Sequence, residues 1–167
     1  MLSRYWLLAL AGVAVLIAVP LMMVNDEKEI LKQLERLRDL AEITSAESGI
    51  QQLTRTREIA RHFTDYTLYD LTSAGYGITE VPDHHELERK ILSARNRITA
   101  LEIGLDDPVV DIEGDTARVT LRGTALGSVR GEPGQFLDIH TIEVQLRKQD
   151  GDWLVSGARH LRDERAP

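Results

Sequence analysis

The chain has 167 residues and no cysteine, and its 20 Lys and Arg against 27 Asp and Glu give a formal net charge of −7. That length has room for one compact domain and an anchor, but not for two domains of ordinary size. The acidic balance speaks against nucleic acid as a partner, because phosphate binding needs clustered Lys and Arg. The absence of cysteine excludes disulfides, a thiol nucleophile, thiolate metal sites and a lipid-modified cysteine.

From Tyr5 to Val24 (YWLLALAGVAVLIAVPLMMV) no residue carries a charge. About 20 residues of helix rise roughly 30 Å, the thickness of a bilayer's hydrocarbon core. Arg4 precedes this run, whereas Asp26, Glu27 and Glu29 follow it with only Lys28 between them. Positive charge stays on the cytoplasmic side. Residues 1–4 are therefore expected in the cytoplasm, 5–24 as a single transmembrane anchor in a bacterial inner membrane, and everything later in the periplasm. Tyr5 and Trp6 fall where an interfacial aromatic belt would place them. A cleaved signal peptide is the competing reading, but the run ends VPLMMVND, with bulky residues where cleavage needs small ones.

Residues 25–48 read as a stalk helix and linker. Between Asp26 and Ile43, Ile30, Leu34, Leu37 and Ala41 recur at the spacing of one helical face, widened by Leu31 and Leu40. The repeat is too short for a coiled coil. It leaves packing on its own domain, self-association and docking on a membrane partner all open. Thr44-x-x-Glu47 and Ser48-x-x-Gln51 are both helix-start signatures, and a second helix is expected over about 49–63. Asp65 to Leu71 (DYTLYDL) has the composition of a strand, and Ser73 to Pro82, with Gly75 and Gly77, that of an irregular crossing or short strand. Asp83, with Glu86 three later, opens a third helix whose stripe is Leu87, Ile91, Ala94 and Ile98 and which ends near Arg97.

The rest reads as β: Thr99 to Leu105, extending toward Ile112; Thr116 to Val129; Gln135 to Lys148; and Asp152 to Leu161. Glu113-Gly114-Asp115 and Asp150-Gly151 are tight hairpin turns, and Gly131 to Gly134 makes a broader one. Long antiparallel strands must coil or bend, and Gly123 and Gly127 are the expected places. The fold class is thus α+β: helices packed on a curved antiparallel sheet that leaves a conical cavity at its wide end.

This element order, with Gly151-Asp152-Trp153-Leu154-Val155 and the late His160, resembles the nuclear-transport-factor-2-like (SnoaL-like) superfamily over about 49–161. The resemblance implies a cone-shaped domain over 49–167. It does not fix an activity, because one fold hosts many functions. The superfamily includes ketosteroid isomerases, dehydratases, polyketide cyclases and epoxide hydrolases. It also includes non-catalytic, membrane-anchored subunits of type IV secretion systems and proteins accompanying lipid-import transporters, which share an N-terminal membrane helix followed by the cone. The matching residues Gly151, Trp153 and Val155 are structural, so no catalytic residue is carried over.

Alternation along Gln135 to Lys148 places Phe136, Asp138, His140, Ile142, Val144 and Leu146 on one face, which turns inward because its far end is apolar. Asp138 and His140 then point the same way, and a carboxylate beside an imidazole can orient a general base. By the same rule Trp153, Val155, Gly157 and Arg159 share a face, bringing Arg159 to the cluster, with Tyr66 or Tyr69 as hydroxyl donors. A structural polar network of Asp138, His140 and Arg159 at the cone's open end is the alternative. His84 and His85 are adjacent, which is not the i,i+3 or i,i+4 spacing of helical metal ligands. The basic set Arg55, Arg57 and Arg61 reads as an exposed helix face or a partner contact. Gly75-x-Gly77 lacks the third glycine and following helix of a nucleotide loop. No motif asks for a metal or cofactor.

The function expected from these features is a non-enzymatic, membrane-anchored binding or assembly module. It would be a subunit or accessory factor of an inner-membrane complex, or self-associated. The alternative is a small-molecule binder or lyase/isomerase-type enzyme using the cone's cavity.

Overall fold

The computed structural model describes residues 25–75 and 77–162. The expected cytoplasmic tail and membrane span, residues 1–24, lie outside the described residues. Among the described residues no helix is long and apolar enough to cross a membrane.

Helix α1 covers residues 25–41, followed by α2 (Gly49–Ala60), β1 (Phe63–Leu71), a 3₁₀ turn (Thr72–Ala74), β2 (Gly77–Val81) and α3 (His84–Arg97). Four strands complete the domain: β3 (Ile98–Glu113), β4 (Thr116–Val129), β5 (Phe136–Gln149) and β6 (Asp152–Leu161). Of the two start signatures before α2, Ser48 is the one used: its hydroxyl accepts from Gln51 N while the Gln51 side chain accepts from Ser48 N. Asp83 caps α3 by accepting from Glu86 N. Asp150 and Gly151 both take positive φ, as the two-residue β5–β6 turn requires.

The six strands form one sheet in the order β2-β1-β6-β5-β4-β3. Neighbours are antiparallel except β1 and β6, which run parallel, so the expected all-antiparallel sheet is corrected at that one ladder. The two strands are far apart in the chain, with β2, α3 and the β3–β5 meander between them, so no tight turn forces them antiparallel. The sheet is curved and packs on helices over one face. No register shift falls within the β4–β5 pairing, where Gly123 and Gly127 were expected to bend the strands. Register shifts fall between Ile98 and Ala100 and between Asp106 and Val109 on β3, where Asp107 has φ 52°, between Phe63 and Leu68 on β1, and at Ser156 on β6. Gly127 has a different reason to be glycine: a Cβ there would stand 2.6 Å from the Phe136 ring and 2.7 Å from Ala100 O.

Helix α1 lies in the core. Ile30 and Leu34 are buried among Ala117, Val119 and Leu121 of β4, Val144 and Leu146 of β5, and Trp153 and Val155 of β6, with Leu37 packed alongside. Both ends of the helix are fastened. At the start, Asp26 Oδ1 accepts from Lys148 Nζ at 2.6 Å and from Trp153 Nε1 at 3.2 Å. At the end, the buried Arg95 guanidinium donates to the carbonyls of Leu40 and Ala41, which the helix itself leaves unpaired, and to Glu47 Oε2 at 2.7 Å.

Candidate functional site

Between α1 and the inner, helix-covered face of the sheet lies a hollow of about 290 Å³. Leu34, Leu37 and Ala41 close it from the helix side; Leu105, Leu121, Ile142, Val155 and Ala158 form the sheet side, with Phe63 and Tyr69 from β1. Almost every lining atom group is aliphatic or aromatic. The polar ends available are the Tyr69 phenol and Arg38, whose guanidinium is held by Asp39 at 2.7 Å. Burial pushes the Tyr69 hydroxyl above its ordinary value, with the Thr67 hydroxyl pulling the other way. At neutral pH this phenol is therefore protonated and available as a hydrogen-bond donor.

His140 and His160 stand one inner-face step beyond that lining. Gly123 pairs with His140 in the β4–β5 ladder, and Ile142, which lines the hollow, pairs with His160 in the β5–β6 ladder. The two rings meet edge to face with centroids 4.8 Å apart, and His140 Nδ1 lies 3.0 Å from His160 Nε2. Ser73, from the turn after β1, puts its hydroxyl 2.6 Å from His160 Nδ1 and donates to the His160 carbonyl oxygen at 2.5 Å.

These contacts set the protons. The single Ser73 hydroxyl hydrogen goes to the carbonyl, so His160 Nδ1 must donate to Ser73 Oγ. His160 Nε2 then accepts, and His140 Nδ1 is its donor. His140 Nε2 is left with a free lone pair. In the neutral pair the His140 proton therefore sits on Nδ1 and Nε2 is the acceptor.

The residues singled out from sequence divide between two faces. Asp138 shares the inner-face parity of His140 and, like it, is exposed, and among the described residues no hydrogen bond joins them. Arg159 faces outward, which corrects the expected alternation. Gln145 pairs with Gly157 but the next residue, Leu146, pairs with Val155, so Ser156 is an extra residue. Such a bulge inverts the parity of everything after it. Trp153 and Val155 point in before the bulge; Ala158 and His160 point in after it, and Arg159 points out. On the outer face Arg159 makes a two-pronged contact with the buried Glu143 at 3.1 and 3.0 Å, and Gln145 donates to the same carboxylate. Tyr66 is half exposed and outside the hollow, its phenol pushed up by desolvation and by Glu80. Trp153 is a core residue pinned by Asp26. Only Tyr69 among the expected pocket residues lines the hollow itself, with His140 at its rim.

His160 and Ser73 were not assembled from sequence. The available signal was Gly157, since a glycine inside a strand often marks a bulge or a close backbone approach. His84 is structural, its Nε2 bonded to Phe63 O at 2.9 Å. Among the described residues no group of three or more His, Asp or Glu is placed to hold a metal.

No protein-family model matches the chain, and no curated protein matches it in sequence. Solved structures do match in fold. An NTF2-like protein with a cystatin-like fold from Novosphingobium aromaticivorans is 15% identical with a TM-score of 0.63, covering 90% of each chain. A protein of the same organism, provisionally assigned as a scytalone dehydratase, is 11% identical with a TM-score of 0.66, covering 82% of this chain and 83% of its own. A type 2 hexachlorocyclohexane dehydrochlorinase, LinA, is 13% identical with a TM-score of 0.63, covering 85% and 88%. The fold is NTF2-like.

Proposed function

We propose that the chain binds a small, largely apolar molecule in the hollow between α1 and the sheet, with His140 at the rim accepting a proton from it in a lyase- or isomerase-type reaction. One observation carries this reading: an aliphatic hollow on the inner face of the sheet with the ordered His140–His160–Ser73 network one strand step beyond its lining. Burying roughly 200 Å² of ligand hydrocarbon contributes about 5 kcal/mol before the costs of association. Small aromatic molecules should therefore bind no tighter than about 0.2 mM. Two fold neighbours bear names of eliminating enzymes, a dehydratase and a dehydrochlorinase. That supports, at a distance, chemistry begun by proton removal beside an apolar pocket.

The test is a fluorescence titration of the full chain with 2-naphthol. Binding should saturate, weaken by about tenfold or more, which is about 1.4 kcal/mol, in Ala158→Phe, whose ring occupies the hollow, and survive in His140→Ala. Non-saturable binding, or equal affinity in Ala158→Phe, would refute the reading. Ile142→Ala enlarges the same hollow and should improve affinity for a larger naphthol, which guards against a misfolded Phe variant.

The assembly-module reading stands second, since neither the hollow nor the fold neighbours speaks for a membrane complex. Tethering is a separate matter. The uncharged run of residues 5–24, flanked by Arg4 and by Asp26, Glu27 and Glu29, supports a single-pass anchor that leaves the domain on the periplasmic side. Carbonate-resistant membrane association with the domain open to protease only after outer-membrane permeabilisation is the expected result; release by carbonate would refute it.

A further inference from the structure

On the side of the domain away from the histidine network, two hollows of about 360 and 380 Å³ share Arg36, Arg61 and His62. Lys32 joins the first and Arg57 the second. Lys32 and Arg36 are one turn apart on α1, and Arg57 and Arg61 are four apart across the end of α2, so each pair presents a single face. Two helices thus bring four cations to one groove in a chain whose net charge is −7. Glu29, Glu58 and Asp152 also border it, and Arg36 contacts Glu58 at 3.3 Å.

Most arginines here already have an acid. Arg55 and Arg95 are on Glu47, Arg118 on Asp111, Arg122 on Asp107 and Arg159 on Glu143. Of the basic trio seen in the sequence, Arg55 is therefore used in holding the linker. Arg57 and Arg61 are exposed and have no ion pair among the described residues. A fully hydrated guanidinium pair at this spacing costs repulsion that an anion would relieve.

His62 forms the floor. Gln33 Nε2 lies 2.7 Å from its Nδ1, and an amide nitrogen can only donate, so Nδ1 accepts and Nε2 carries the proton. Burial, then the charge of Arg36, lowers the imidazole's affinity for a second proton. The ring is thereby kept as a neutral N–H donor among the residues that line the groove. Planar guanidinium forks with one neutral N–H donor are the equipment for a tetrahedral oxyanion.

We propose that the groove between α1 and α2 is a binding site for a phosphate group, held by Arg36, Arg57 and Arg61 with His62 Nε2–H beneath. The phosphate belongs either to a soluble phosphorylated compound or to a phospholipid headgroup. The site is independent of the apolar hollow and of any reaction there.

The experiment uses the full chain in uncharged detergent and follows the His62 ring signals by NMR while two probes are titrated separately: inorganic pyrophosphate and dihexanoyl phosphatidylglycerol. Saturable movement with either probe supports the site; pyrophosphate alone assigns a soluble ligand, and the lipid alone a headgroup. Arg57→Ala/Arg61→Ala should weaken binding by about tenfold or more, and these exposed, unpaired side chains can be removed without loss of fold. Arg118→Ala/Arg122→Ala, on the outer sheet face, should change it less than about twofold. Failure of both probes to bind, unchanged affinity in the Arg57/Arg61 variant, or an equal loss in the Arg118/Arg122 variant would overturn the proposal.

Discussion

Gly157 is where the rim of the hollow is set, and replacing it with alanine should be costly for a reason that can be located to one atom. A Cβ at this position would stand 2.4 Å from the carbonyl oxygen of Leu68, where ordinary contact begins near 3.4 Å. Relief needs a displacement of about 1 Å, and the obstacle is backbone in the β1–β6 ladder rather than a flexible side chain. Overpacking of this kind costs about 2–3 kcal/mol, which for a domain of this size lowers Tm by about 5–10 °C. Gly123→Ala is the matched control: it too lies within a strand, but its Cβ would meet Ile142 Cδ1 at 3.5 Å and nothing closer. That substitution should stay within about 0.5 kcal/mol of the parent, or gain slightly. Urea unfolding of the parent and both variants decides. If Gly157→Ala shifts the midpoint no more than Gly123→Ala does, the account of the bulge and of the crowded parallel ladder is wrong.

The outer face offers a second test. Glu143 is only 9% exposed and owes its pairing to Arg159, so Arg159→Ala should cost about 1–3 kcal/mol by leaving a desolvated carboxylate. Adding Glu143→Gln to it should restore most of the loss; a double variant no better than the single would count against the pairing. The clasp on α1 should be pH dependent. The hydrogen bond from Lys148 first, and that from Trp153, lower the Asp26 carboxyl below 3.8 against the opposing effect of burial. A carboxyl with a depressed folded pKa contributes stability present above its unfolded pKa and lost as pH falls through the folded one. Asp26→Asn should accordingly cost about 1–2 kcal/mol at pH 7, and the difference from the parent should be smaller at a pH below 3.8, where the folded carboxyl begins to take up its proton. A difference that is the same at both pH values would show that the charge of Asp26 is not what holds the helix.

Much of this fold could be read from local rules, because local rules govern it. The Ser48 and Asp83 caps, the Asp150-Gly151 turn and the apolar faces of β4 and β5 each depend on residues within a few positions of one another. The site depended on something else. Period-two alternation carries a residue's direction along a strand only while the ladder is unbroken, and Ser156 breaks it one turn of the pleat before the rim. Arg159 was therefore assigned to the inside and ended outside, while His160 went in and met His140. Ser73 joins them from 87 residues away, a separation no spacing rule can bridge. The parallel β1–β6 contact escaped for the same reason: pairing between distant strands is decided by topology and burial, not by the strands' own composition.

The central claim is that the apolar hollow between α1 and the sheet is a ligand site with His140 at its rim. It is tested most directly by soaking crystals of the protein with 4-bromophenol and recording bromine anomalous scattering. The account predicts a peak within the hollow, in contact with Ile142, Val155 and Ala158, with the phenolic oxygen toward His140 or Tyr69. Bromine on the outer face beside Leu137 and Ile139, with the hollow empty, would contradict it.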